Sequence, residues 1–283
     1  MTQPRVVEGD VSLSDGRTLG YVEWGRVDGP VVVLCHPATR VVQPGWEAAE
    51  AAAVRIVLPD RPGLGRSTFQ PGRSVVDWAA DVDALASHLG VKRFSIVGVS
   101  AGTPYALACG VRLGHRVDVV GIIAGTVPAR DDERRGIPAL AVDDRAAALE
   151  AIEGRLLAAG GAEAAGRRSA DRPEPDGSLY RRSEVQAALA AASREARRQG
   201  TKGLAYDQLL GMLPWGFGIA DLARPCLWWH GDADSVVQVE RIKRATAGLA
   251  QHSVKVVAGA GHGICMTHVE GFLHEVRSHA TSQ

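Results

Sequence analysis

Apolar and polar positions alternate along the chain between two kinds of segment. Short runs rich in Val, Ile, Leu and Trp occur at 31–35, 54–58, 93–99, 117–124, 225–230 and 253–257. Several are unbroken, such as Val31-Val32-Val33-Leu34 and Cys226-Leu227-Trp228-Trp229, as expected of strands covered on both faces. Between them, at 74–89, 101–114, 238–250 and 267–279, apolar residues recur at helical spacing. Two further β-type stretches, 5–14 and 17–25, flank Asp15-Gly16 and predict an opening hairpin. Strands alternating with helices require parallel crossovers, so the pattern predicts an α/β fold with a mostly parallel, doubly wound sheet.

The alternation stops between 128 and 215. That stretch is rich in Ala and Arg, lacks a clear strand, and predicts helices over 143–159 and 183–199 with a polar loop at 167–178 between them. A structureless excursion of that length is improbable inside a domain. The segment therefore reads as a helical cap, inserted between core halves 1–127 and 216–283 of one domain.

Charge narrows the partners. Lys plus Arg equals Asp plus Glu at 32 each, so no net field holds nucleic acid or an anionic membrane surface. A small, roughly neutral molecule is the expected ligand. The N-terminal MTQPRVVEGD carries no basic segment followed by an apolar run, and no stretch approaches the ~18 apolar residues of a membrane span. A soluble, cytoplasmic protein is expected, and no feature specifies an oligomeric state. Cys35, Cys109, Cys226 and Cys265 lie far apart without CxxC spacing, which argues against a disulfide framework or zinc site. Buried thiols, no metal and no organic cofactor are the expectation.

The chemistry concentrates around Gly98-Val99-Ser100-Ala101-Gly102, a G-x-S-x-G pentapeptide entered by an apolar run and left by a helical pattern. That context is the strand–turn–helix of a nucleophile elbow. A serine needs a neighbouring base, usually a histidine held by a carboxylate. Of nine histidines, His262 in Gly259-Ala260-Gly261-His262-Gly263 directly follows the last strand-like run and so emerges on the same sheet edge as Ser100. His88, His115, His252, His274 and His279 fall on helix faces or surface turns; His268 opens the last helix, and His230 ends a strand, where fixing the turn is its expected role. For the carboxylate, Asp232 and Asp234 both lie just past a strand end.

Outside the insertion, the chain resembles the α/β-hydrolase superfamily, including the chain order serine, acid, histidine. The resemblance implies Gly-x-x-Asp after the strand, which maps the acid onto Asp234 and leaves Asp232 in the turn; Gln238 stands where relatives carry proline. It also implies that the loop Leu34-Cys35-His36-Pro37-Ala38-Thr39-Arg40 supplies an oxyanion amide. Proline replaces the usual glycine at Pro37 and has no N–H, so Ala38 or Thr39 becomes the expected donor beside Ala101. His36 is expected to brace this loop at the substrate side. Asp60-Arg61-Pro62-Gly63-Leu64-Gly65-Arg66-Ser67 resembles the family's D-x-x-G-x-G-x-S turn, with a structural role and solvated arginines expected and, as the alternative, Arg61 or Arg66 reaching the site. Trp46, Trp215 and Phe217 are the candidate pocket aromatics.

The expectation is a serine hydrolase acting on a small carboxylic ester or lactone. A carbon–carbon bond hydrolase, a cyclase or isomerase, and a low-turnover ligand-binding receptor fit the same scaffold.

Overall fold

The computed structural model describes residues 6–37, 45–128, 143–161 and 169–281. The hairpin forms as β1 (Val7–Ser12) and β2 (Thr18–Gly25), antiparallel across the turn where Gly16 takes a positive φ of 83°. The apolar runs become β3 (Val31–Cys35), β4 (Arg55–Pro59), β5 (Phe94–Val99), β6 (Val117–Ile123), β7 (Cys226–Gly231) and β8 (His252–Val257). They join one eight-stranded sheet in the order β1-β2-β4-β3-β5-β6-β7-β8. The β1–β2 and β2–β4 pairs are antiparallel and the rest parallel.

Burial explains the unbroken apolar runs. Every position of β5 and β7 is buried. Alternate side chains feed two cores: Val33, Cys35, Ile96 and Trp228 pack on one face, and Val32, Leu34, Val97 and Trp229 on the other. The first core is covered by α1 (Trp78–His88) and α2 (Thr103–Arg112), the second by the last helix, which contributes Phe272, Leu273 and Val276. Strand β8 is one edge of the sheet, and four of its six residues are exposed.

Between β6 and β7 the described residues hold no strand, and their helices include α3 (Arg145–Ala158), α4 (Asp176–Tyr180), α5 (Ser183–Ala196) and α6 (Lys202–Met212). Asp144 caps α3 by accepting from the amides of Ala146 and Ala147, each at 3.0 Å. Two features differ from expectation. The loop expected at 167–178 runs into α4, and α6 was not anticipated; it packs against α3. The insertion expected at 128–215 also includes 129–142 and 162–168, which lie outside the described residues. After β7 follow α7 (Val239–Thr246), α8 (Ile264–Thr267) and α9 (Val269–Thr281). Among the described residues no helix is long and apolar enough to cross a membrane.

From β3 the chain continues to β4 on one side and then crosses to β5 on the other. The switch point therefore opens between the C-terminal ends of β3 and β5, the crevice where open α/β sheets bind ligands.

Candidate active site

Ser100 follows β5 directly and has a φ of +50°, a left-handed conformation that costs a non-glycine residue about 1–2 kcal/mol. Tight packing holds it there. A Cβ on Gly102 would stand 2.0 Å from the carbonyl oxygen of Cys35, and one on Gly98 would stand 2.9 Å from Ala106 Cβ. Both flanking glycines are thus required by close approach of α2 and β3 to the turn. Thr103 Oγ1 ties the elbow by donating to the Ser100 carbonyl at 2.6 Å and accepting from the Thr126 amide at 3.1 Å.

The serine hydroxyl meets His262 Nε2 at 2.9 Å, and His262 Nδ1 lies 2.8 Å from Asp234 Oδ2. A carboxylate only accepts, so Nδ1 carries the proton and Nε2 is left to accept from Ser100. Asp234 is fully engaged. Its Oδ1 accepts from the amides of Val236 and Val237 at 2.7 and 2.9 Å, and its Oδ2 lies 3.2 Å from His230 Nε2. Burial pushes its carboxyl up, but the bonds from His230, His262 and Val237 outweigh this and hold it well below the usual carboxylate range. His230 Nε2 also donates to the Val237 carbonyl at 2.7 Å, so this histidine fixes the turn that carries the acid. Asp232 does not reach His262; its Oδ1 accepts from the Gly259 amide at 2.7 Å and pins the two loops together.

Residues of the β3 and β4 loops gather beside the serine. His36 is fully buried and its Nδ1 donates to the Pro37 carbonyl at 2.7 Å. Arg61 donates to the His36 carbonyl at 2.6 Å, to the Pro37 carbonyl at 2.8 Å and to Asp207 on α6 at 2.6 Å. The expectation of solvated arginines in this turn is therefore corrected: Arg61 is 1% exposed, and Arg66 binds Asp10 and the carbonyls of Gly9 and Tyr21, locking the hairpin to the turn. A cavity of about 260 Å³ adjoins the elbow, lined by Ala101, Arg61, Tyr105, Thr126, Asp207 and Met212 among others.

Ala38 and Thr39, the expected second oxyanion donors, lie outside the described residues. Trp46 and Trp215 are buried among core residues, Phe217 packs beside Trp215 with ring centroids 6.1 Å apart, and none of the three lines this cavity. Cys265 is buried, which pushes its thiol up to about 12 and keeps it unreactive. Asp176 is a site residue with no signal in the sequence. It is 2% exposed, and its two oxygens accept from the amides of His262 and Gly263 at 2.8 Å each. Nothing in RPEPDGS marks it, because a polar, proline-rich stretch ordinarily signals a solvated loop.

The family model described as alpha/beta hydrolase fold matches residues 30–269. The chain belongs to that family. Among the relatives of this hydrolase-fold chain, a non-heme chloroperoxidase of Streptomyces lividans is 27% identical over 93% of the chain and 95% of its own length. A non-heme haloperoxidase of Rhodococcus erythropolis is 24% identical over 92% and 94%. A proline iminopeptidase of Xanthomonas citri is 34% identical over 41% of this chain, and the match spans 39% of that relative's length. A solved hydrolase from Pseudomonas aeruginosa shares the fold with a TM-score of 0.72 at 21% identity, covering 96% of this chain and 97% of the other.

Proposed function

We propose that this α/β hydrolase is a serine hydrolase that cleaves a small carboxylic ester or lactone through an acyl-enzyme. The hydrogen-bonded chain Ser100–His262–Asp234 supports this reading most strongly. Ser100 Oγ attacks the carbonyl carbon while its proton passes to His262 Nε2, and Asp234 holds the imidazole's orientation and balances the charge that develops on it. His262 then gives that proton to the leaving alkoxide. Water, deprotonated by His262, attacks the acyl carbonyl, and the Ser100 ester bond breaks as His262 returns that proton to Ser100 Oγ, releasing the acid. The positive φ of Ser100 lifts the hydroxyl clear of the sheet. The Ala101 amide, at the start of the turn into α2, is a donor to the oxyanion, with Ala38 or Thr39 as its partner. The insertion acts as a cap that shapes the pocket.

A second reading draws on two relatives matched over most of their length, one named a non-heme haloperoxidase and one a non-heme chloroperoxidase. A shorter match, from Acinetobacter calcoaceticus, is named a bifunctional esterase/perhydrolase. Hydrogen peroxide attacking the acyl-enzyme in place of water would release a peracid and regenerate the serine.

Steady-state turnover of short p-nitrophenyl esters tests the proposal. The wild type is expected to turn over, and Ser100→Ala is expected to lose several orders of magnitude in kcat while folding normally. Equal turnover by both proteins would refute the serine route, and peracid formed with added peroxide would support the second reading.

A further inference from the structure

Arg61 and Asp207 line the cavity beside Ala101, Arg73 binds Asp207 behind them, and among the described residues the three charges do not cancel. Arg61, Arg73 and Asp207 are 1%, 4% and 8% exposed. Asp207 Oδ2 accepts from Arg61 Nε at 2.6 Å, while its Oδ1 accepts from Arg73 and, at 3.0 Å, from the Tyr105 hydroxyl. Burial and the Asp207 charge push the Tyr105 phenol up to about 12, so it stays neutral. Burial also pushes Asp207 up, but Arg61 and Arg73 outweigh it and hold the acid at about 2. Among the described residues, two positive charges against one negative charge leave this cluster at net +1.

Neutral groups spread this charge without removing it. Arg61 lies 4.5 Å from the Tyr105 ring centroid and Arg73 lies 5.3 Å from that of Tyr206. Among the described residues, Arg73 Nε is nevertheless buried with no acceptor. Arg61 uses one N–H at each of its three nitrogens, out of the five a guanidinium carries. An unbalanced charge in a low-dielectric interior is costly until an opposite charge reaches it. The cavity supplies the route, because Arg61, Tyr105 and Asp207 share its walls with Ala101, the residue next to the nucleophile.

We propose that this cavity seats a carboxylate of the substrate, so that the ester carries a second, ionised carboxyl group on its acyl part. The group approaches the Arg61 side while the scissile carbonyl sits at Ser100. This rests on the serine-hydrolase reading above, and it replaces the neutral ligand that the balanced overall charge suggested. The chain's net charge of zero hides a local field of one sign.

The test is a charge ladder. kcat/KM is measured for the p-nitrophenyl monoester of glutaric acid and for neutral p-nitrophenyl pentanoate, in wild type, Arg73→Met and Asp207→Asn. The wild type should prefer the anionic ester by about tenfold or more. Arg73→Met should bring the ratio towards one, and Asp207→Asn should raise it. A merely structural cluster would lower both esters alike in both variants. Binding of free glutarate to Ser100→Ala, measured by calorimetry, reads the seat without any chemistry. Glutarate binding in a protein that turns over no ester would leave the seat standing and sink the hydrolase reading. Ester turnover with no anionic preference in the wild type, or no glutarate binding, would overturn the seat.

Discussion

The core loops and the helical insertion place carboxylates on the same site in different ways. Asp234 comes from the core, at the end of a strand, and meets the His262 ring. Asp176 and Asp207 come from the insertion and meet backbone amides of the His262 loop and the arginine that holds the His36 loop. On the proposed reading the core acid acts on the reacting imidazole, whereas the insertion acids set the backbone and field around it. An insertion that grips both loops couples its own packing to the geometry of the serine and histidine.

Substitutions should separate these roles, and the largest loss belongs to the core. Asp234→Asn is expected to lower kcat by about 10⁴ with the fold retained, because the imidazole loses its orientation and its tautomer. A loss below tenfold, measured on protein with a wild-type unfolding midpoint, would remove Asp234 from the role of orienting acid.

Asp176→Ala is next. It strands the amide donors of His262 and Gly263 in the interior, where each lost acceptor costs about 1–3 kcal/mol. A shift of the imidazole by a fraction of an ångström should lower kcat by about 10–100-fold while KM stays near wild type. A raised KM with kcat unchanged would assign Asp176 to substrate binding instead.

Asp207 gives a pH signature. Its folded-state value of about 2 lies below the ~3.9 of an unfolded aspartate, so its ionised form stabilises the fold. That contribution is complete above about pH 4 and is lost as the pH falls through about 2. The unfolding midpoints of wild type and Asp207→Asn should therefore converge over this range. A gap that stays constant with pH would show that the carboxylate's charge does not stabilise the cluster.

The smallest effect is expected at Asp232. Asn keeps an oxygen that accepts from the Gly259 amide, so stability should change by no more than ~0.5 kcal/mol and kcat should stay near wild type. Loss of activity here with retention in Asp234→Asn would reverse the assignment of the acid.

What the sequence made legible follows the same division. Strands β3, β5 and β7 announce themselves because burial on both faces demands unbroken apolar runs. The elbow is legible because close approach leaves room for nothing larger than Gly98 and Gly102. Helix α6 was hidden, since Gly203 and Gly211 weaken helical propensity, though Leu204, Leu209 and Leu210 are buried. Asp176, Asp207 and Arg61 were unreadable for a stronger reason. A charged residue in a loop or helix is normally solvated, and the partners that bury these three are 24 to 146 residues away along the chain.

The central claim, that Ser100 is a nucleophile activated by His262, is tested most directly by labelling the protein with a fluorophosphonate and mapping the adduct by peptide mass spectrometry. One adduct is expected, on the peptide containing Ser100, absent from Ser100→Ala and strongly slowed in a His262→Ala variant. An adduct on any other residue that persists in Ser100→Ala would contradict the claim.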